Sequence, residues 1–282
     1  GCSAINGMIY MRGQARDYDQ WRQFGNIGWG WDDVLPYFKK SEDYFSGADS
    51  MHGAGGEWRV EEQRLSWDVL EKFRAACMSA GIPSTDDFNR GSNEGVGYFK
   101  VNQKKGWRWS AATGFLTPIK SRKNLTVMTN AHVHALAMDG KHVTGVTFEA
   151  GKTIITAQAA HEVVLSAGAI GTPHILQLSG IGPGNLLSEN GVEVRHQLAG
   201  VGGNLQDHLQ IRTIFKTQGV TSLNSFANTL IGKARIALEY ALFRSGPMSM
   251  APSQLGAFVK SDKAMETPDL QYHVQPLSLG KF

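Results

Sequence analysis

With 282 residues, the chain can hold one large domain or two modest ones, each with a real core. Hydrophobic residues at 41% and charged ones at 19% fit an ordinary globular protein, and no apolar run approaches the roughly 20 residues of a membrane helix. A net charge of +3 with scattered Lys and Arg argues against a nucleic-acid partner.

The chain opens on a Gly/Ser segment, GCSAINGMIYMRG at Gly1–Gly13, whose small residues suit tight turns and exposed backbone amides. In RDYDQWRQFG, Tyr18, Trp21 and Phe24 are spaced for one face of a short helix. Val34, Leu35 and Phe38 predict a second helix, with Pro36 tolerable only in its first turn. Residues 46–59, with HGAGGEW, read as loop. Ser66 is the expected N-cap of a helix over Trp67–Ala80, with Leu70, Phe73 and Cys77 inward and Gly81 as the stop. Cys77 reads as a small buried hydrophobe. Cys2 and Cys77 form no CxxC pair and so indicate neither a disulfide framework nor a thiolate metal site.

Residues 83–97 read as a loop, and Leu125–Leu136 as a strand. Asp139-Gly140 marks a hairpin into Val143–Glu149, and Ala150-Gly151 leads to Thr153–Ala157, which together predict a β-meander. Val163–Leu165 has the apolar, β-branched character of a strand covered on both faces, ending in Ser166-Ala167-Gly168. Thr172-Pro173 predicts the cap and first residue of a helix stopped by Gly180, and a shorter helix follows around Asn185–Glu189. A strand is expected at Leu209–Lys216 and a helix at Thr229–Phe243. Another strand is expected at Asp269–Gln275, with its partners beyond the last residue. His132 and His134, two apart in a strand, face one way, but without a carboxylate or Cys at ligand spacing they are expected to be ordinary surface or packed residues. His208 is expected to be structural.

Gly1–Gly13 and GAIGTPHILQLSGIGP at Gly168–Pro183 together resemble the two signature sequences of the glucose-methanol-choline (GMC) oxidoreductases, most of all the choline dehydrogenase-like and other alcohol dehydrogenases of that group. RWSAATGFL near Ser110, NLTVMTNAHV, and GVGGNLQDH at Gly200–His208 extend the likeness over nearly the whole chain. The resemblance implies an α/β, FAD-binding portion with a β-meander over residues 1–207, and an α+β, substrate-binding portion with an antiparallel sheet over 208–282. It implies that Asn6, Gly7, Met8 and Ile9 contact FAD, with Gly1 and Ser3 in the same turn, that Val133 meets the adenine, and that Ala167 and Gly168 lie near the cofactor. Ile5 stands where some relatives carry a His joined covalently to FAD, so the flavin is expected to be non-covalent.

The dinucleotide-binding βαβ unit with its GxGxxG turn is absent, and the chain begins without Met inside a motif, so it is expected to be an internal piece of a longer enzyme. No catalytic residue is assigned within it, because the family's catalytic His and its His or Asn partner are expected farther along. The activity implied is oxidation of choline or another primary alcohol, with hydride transfer to flavin N5 and electrons passed to a non-oxygen acceptor such as a quinone. The piece alone is expected to be inactive. Two readings compete with this one: a hydroxynitrile-lyase-like enzyme that keeps FAD without net redox, and a non-catalytic truncated module. Compartment stays open between the cytoplasm and the periphery of the inner membrane.

Overall fold

The computed structural model describes residues 1–278 and has mixed α/β architecture with several small antiparallel sheets. The chain forms two compact units: Gly1–Ser121 with the segment from Ile214 onward, and Arg122–Thr213. The return at Ile214 lies near the division expected at His208, while residues before Arg122 cluster with the later segment. No helix among the described residues is long and apolar enough to cross a membrane.

In the first unit, β1 (Ile9–Tyr10) leaves the opening loop and α1 (Ala15–Gln23) follows. Only Tyr18 of the expected apolar face is buried; Trp21 and Phe24 are 46% and 73% exposed. Helix α2 (Trp31–Ser41) begins at Trp31, so Pro36 falls beyond the first turn, contrary to expectation. Pro36 and Asp32, whose carbonyl loses its helical donor, are both exposed, so water can supply the missing bond. Strands β2 (Glu42–Tyr44) and β3 (Trp58–Val60) pair in parallel. Helix α3 (Asp68–Ser79) starts after Trp67, whose extended backbone takes the cap position expected of Ser66, and it ends before Gly81. The presumed loop at 83–97 ends instead in β4 (Gly95–Tyr98), and β5 (Lys100–Val101) pairs antiparallel with β1.

The second unit is built on the expected meander of β6 (Ala131–Asp139), β7 (His142–Ala150) and β8 (Thr153–Gln158), in the order β8-β7-β6. Strand β6 starts later than expected, because Asn130 takes a left-handed conformation (φ 54°) that interrupts an extended run. Val163–Leu165 forms no strand and Val164 is 75% exposed. An extended segment needs a neighbour to satisfy its backbone, and none of the described strands pairs with it. Helix α4 (Gly168–Leu178) begins earlier than predicted, so Thr172 and Pro173 lie inside it. Thr172 still serves the helix start, since its Oγ1 accepts from the Ala167 N–H at 3.0 Å. Gly180 follows the C-cap at φ 82°, and α5 (Gly184–Glu189) follows.

The expected strand at Leu209–Lys216 is irregular, with Leu209 and Phe215 100% and 80% exposed. In the first unit again, α6 (Leu230–Phe243) is capped by Thr229, whose Oγ1 accepts from the Gly232 N–H at 2.9 Å. β9 (Leu255–Val259) and β10 (Leu270–Val274) complete an antiparallel sheet in the order β10-β9-β4. The strand at 270–274 thus finds its partner within the chain, not beyond its end. Alternation along β9 sorts the core. Leu255 and Ala257 pack with Leu70, Cys77 and Val96 under α3, whereas Phe258 faces Phe88 and Phe99, with Ile9 and Met11 against them. A Cβ at Gly256 would overlap the Phe99 ring, so only glycine fits there.

Candidate functional site

The opening loop is shaped by its own backbone and by three side chains from elsewhere in the first unit. Cys2–Ile5 makes one helical turn, Asn6 is extended, and Met8 adopts φ 64°, a conformation that is costly for a side chain bearing a Cβ. Met8 is held there because its carbonyl accepts from the Asn102 N–H at 2.8 Å, just before Ile9 enters register with Val101. Gln103, almost fully buried, places its Nε2 3.5 Å from the Met8 sulfur. Arg108 Nη1 donates to the carbonyls of Ser3 (3.2 Å) and Asn6 (2.6 Å), and Ser3 Oγ accepts from the Ala111 N–H at 3.0 Å. Gly7 sits against the ring of Pro252.

Six of the expected cofactor residues, Gly1, Ser3, Asn6, Gly7, Met8 and Ile9, therefore lie on one continuous loop. The RWSAATGFL stretch, part of the same family resemblance, lies directly against it through Arg108 and Ala111. Sequence reasoning missed Arg108, Gln103 and Pro252. The Arg lies at the edge of a segment already flagged, but nothing in the spacing shows that it serves two carbonyls more than a hundred residues away.

In the second unit, a cavity of about 500 Å³ lies between β6 and α4, lined by Val133 and Ala167 with His132, His134, His174 and Ile175 among others. Two of the three expected residues of this unit thus share one cavity. Gly168, the third, is exposed at the first position of α4 with φ 87°. His132 and His134 share a face as expected, with ring centroids 5.4 Å apart, and His134 Nε2 is 3.4 Å from Glu149 Oε2. That carboxylate comes from the neighbouring strand, where linear spacing could not reveal it. No group of three or more potential metal ligands occurs among the described residues. His208 is exposed, not packed.

Each of these two features suits part of a small-molecule site. The loop exposes small residues and backbone, and the cavity has a largely apolar lining with polar imidazole groups at few positions. Ile5, 80% exposed, offers no nucleophile or imidazole for a covalent link.

Comparison with known proteins agrees. Residues 1–210 match the GMC oxidoreductase family. The chain is 38% identical over 279 residues to an oxygen-dependent choline dehydrogenase of Brucella ovis, an alignment covering 99% of this chain and 50% of that protein. Among solved structures it resembles an FAD-dependent oxidoreductase from Chaetomium thermophilum (TM-score 0.82, 30% identity, 92% of this chain and 48% of that one). It also resembles pyridoxine 4-oxidase from Mesorbium loti (TM-score 0.76, 28% identity, 94% and 48%). The chain spans about half the length of the curated relatives it matches.

Proposed function

Because this chain belongs to the GMC oxidoreductase family, we propose that it forms part of a flavoenzyme that oxidises the CH–OH group of a small alcohol and carries FAD as its cofactor. The observation that supports this most directly is the opening loop, where left-handed Met8, its carbonyl bonded to the Asn102 N–H, and the Ser3 and Asn6 carbonyls bonded to Arg108 hold Asn6 to Ile9 in one fixed backbone course. A rigid loop of this kind can present amides to a flavin and exclude water without spending freedom on binding.

Bound FAD would supply the acceptor for the hydride leaving the alcohol's α-carbon. Gly1, Ser3, Asn6, Gly7, Met8 and Ile9 are assigned to flavin contact, Val133 to the adenine, and Ala167 and Gly168 to the cofactor's neighbourhood. Ile5 makes the cofactor non-covalent. Taking the hydroxyl proton is assigned to a histidine outside residues 1–282, and the final electron acceptor to a quinone rather than oxygen. Residues 1–207 are assigned to the cofactor and 208–282 to the substrate-binding portion. Choline is one candidate substrate, as the name of the Brucella ovis relative suggests.

The test is purification of the native gene product containing these residues. Acid precipitation should release FAD into solution, and an alcohol panel should reduce the flavin and pass electrons to a soluble quinone with little hydrogen peroxide. Strong peroxide production would replace the dehydrogenase with an oxidase. Cyanide release from a cyanohydrin without flavin reduction would identify a lyase, and a colourless, flavin-free protein would leave only the non-catalytic reading.

A further inference from the structure

Beneath the opening loop, the first unit buries four charges together. The side chains of Arg12, Glu42 and His52 are fully buried, and that of Asp87 is 7% exposed. Arg12 Nη2 lies 2.9 Å from Glu42 Oε2, which also accepts from the Gly53 N–H at 2.8 Å. His52 Nδ1 is 3.0 Å from the same oxygen, and its Nε2 is 2.7 Å from Asp87 Oδ2. The Tyr44 ring stacks on the imidazole with centroids 3.7 Å apart. Arg90 Nε stands 3.2 Å from Asp87 Oδ2, and its Nη2 pairs with Asp49 at 2.6 Å.

Ionised carboxylates only accept hydrogen bonds, and a neutral imidazole has one N–H and one lone pair. Both ring nitrogens of His52 face carboxylate oxygens, so both bonds form together only when the ring carries two protons. The four buried side chains then hold two cations and two anions, whereas loss of one proton would leave them one positive charge short, with only the half-exposed Arg90, itself shared with Asp49, beside Asp87. Burial by itself lowers the His52 pKa, but the hydrogen bonds it donates to Asp87 and Glu42 outweigh it and hold the group above its usual range. Burial likewise pushes Tyr10 and Tyr44 upward, so both remain neutral phenols beside the cluster.

The cluster grips the strand that leaves the loop. Arg12 Nε donates to Tyr10 Oη at 3.1 Å, and its Nη1 donates to the Met51 carbonyl at 2.7 Å. The Arg12 N–H donates to Asn89 Oδ1 at 2.7 Å, and Asn89 Nδ2 donates to the Tyr10 carbonyl at 3.2 Å. Asp87 Oδ1 in turn accepts from the Asn89 N–H at 2.9 Å. Arg12 and Asn89, the two side chains holding Tyr10, thus each depend on a carboxylate that His52 joins to the other.

We propose that His52 is a positioning residue for the opening loop: as an imidazolium joining Glu42 to Asp87, it fixes Arg12 and Asn89 on β1 and so sets where Met8 and Ile9 stand. This rests on the reading of the loop as a flavin contact.

The test uses the native gene product with its flavin. His52→Gln, which leaves the set one positive charge short, should weaken FAD binding by about tenfold or more and change the visible circular dichroism of the bound flavin. Adding Asp87→Asn restores charge balance and should bring affinity back to within about threefold of wild type, which a mere packing defect would not allow. In nitrogen-15 histidine spectra of the wild type, His52 should show two ring N–H signals at about pH 7. His52→Gln with wild-type affinity and an unchanged flavin spectrum overturns the proposal, as does a singly protonated His52 in the wild type. The spectrum decides the matter if the variant does not fold. A wild type without flavin removes the functional reading first, and this assignment with it, before any variant is compared.

Discussion

Arg108 reaches back along the sequence to place Nη1 2.6 Å from the carbonyl oxygen of Asn6, and the same nitrogen serves Ser3. One guanidinium thus restrains the helical turn of the opening loop at Ser3 and at its C-cap, Asn6. Hydrogen bonds from a charged donor contribute about 1.5–3 kcal/mol each, and the carbonyls here are partly solvated, so the lower figure applies. Arg108→Ala should speed amide hydrogen exchange across residues 3–8 and weaken FAD retention several-fold, while the midpoint of global unfolding moves little. Unchanged exchange there would show that the loop holds its course without Arg108.

Leu70 is fully buried under the antiparallel sheet beside Val96 and Leu255. Removing its side chain leaves a cavity between helix and sheet, and Leu70→Ala should cost about 2–5 kcal/mol in urea unfolding. A loss under about 1 kcal/mol would mean that α3 collapses readily onto β4 and β9.

Helix α6 depends on one side-chain cap, the Thr229 hydroxyl that accepts from the Gly232 N–H. Thr229→Ala should lower stability by about 0.5–2 kcal/mol, whereas Thr229→Ser should recover most of it. Equal losses in both variants would point to the methyl group rather than the cap.

The buried charges give stability a defined pH window. Burial opposes the charged forms of Glu42 and Asp87, but the bonds from His52 overcome it and hold both below their ordinary values of 4.5 and 3.8. Their contribution is complete above those values and is lost as pH falls through the depressed native ones. His52 is raised from 6.5, so its contribution is complete below 6.5 and is lost as pH rises through the higher native value. Urea midpoints should therefore plateau between pH 4.5 and 6.5 and fall on either side. His52→Gln should flatten the alkaline limb; an alkaline limb of unchanged slope would assign it to other groups.

With the proton acceptor assigned outside residues 1–282, the isolated chain should oxidise no alcohol even when supplied with FAD. Turnover above the flavin-only control would place a competent base within these residues.

The meander at 131–158 was readable because everything it needs is contiguous: alternating residues, an Asp-Gly turn, and strands that neighbour each other in sequence. The loop was readable from its composition, and α6 from its extent at Thr229–Phe243, though not from its cap. What could not be read depends on distant partners. β4 looked like loop because its apolar residues are few, and it is a strand only because residues 255–258 lie beside it. Val163–Leu165 and Leu209–Lys216 have strand composition but no described neighbour to pair with, and composition alone does not satisfy a backbone. The charged cluster was hidden for a related reason. Glu42, His52 and Asp87 are types usually found at the surface, and HGAGG reads as an ordinary turn until the fold closes over it.

The pairing of residues 95–98 with 255–258 also governs the order in which the polypeptide can acquire structure. As the chain emerges from the ribosome, β4 has no mate until the whole of Arg122–Thr213 and helix α6 have been made. The inserted unit, whose strands are neighbours in sequence, can close early, while the apolar face of α3 waits uncovered. Synthesis stalled between residues 213 and 255 would therefore yield a half-formed protein with one sound unit and one sticky helix, the species a holdase chaperone would be expected to bind.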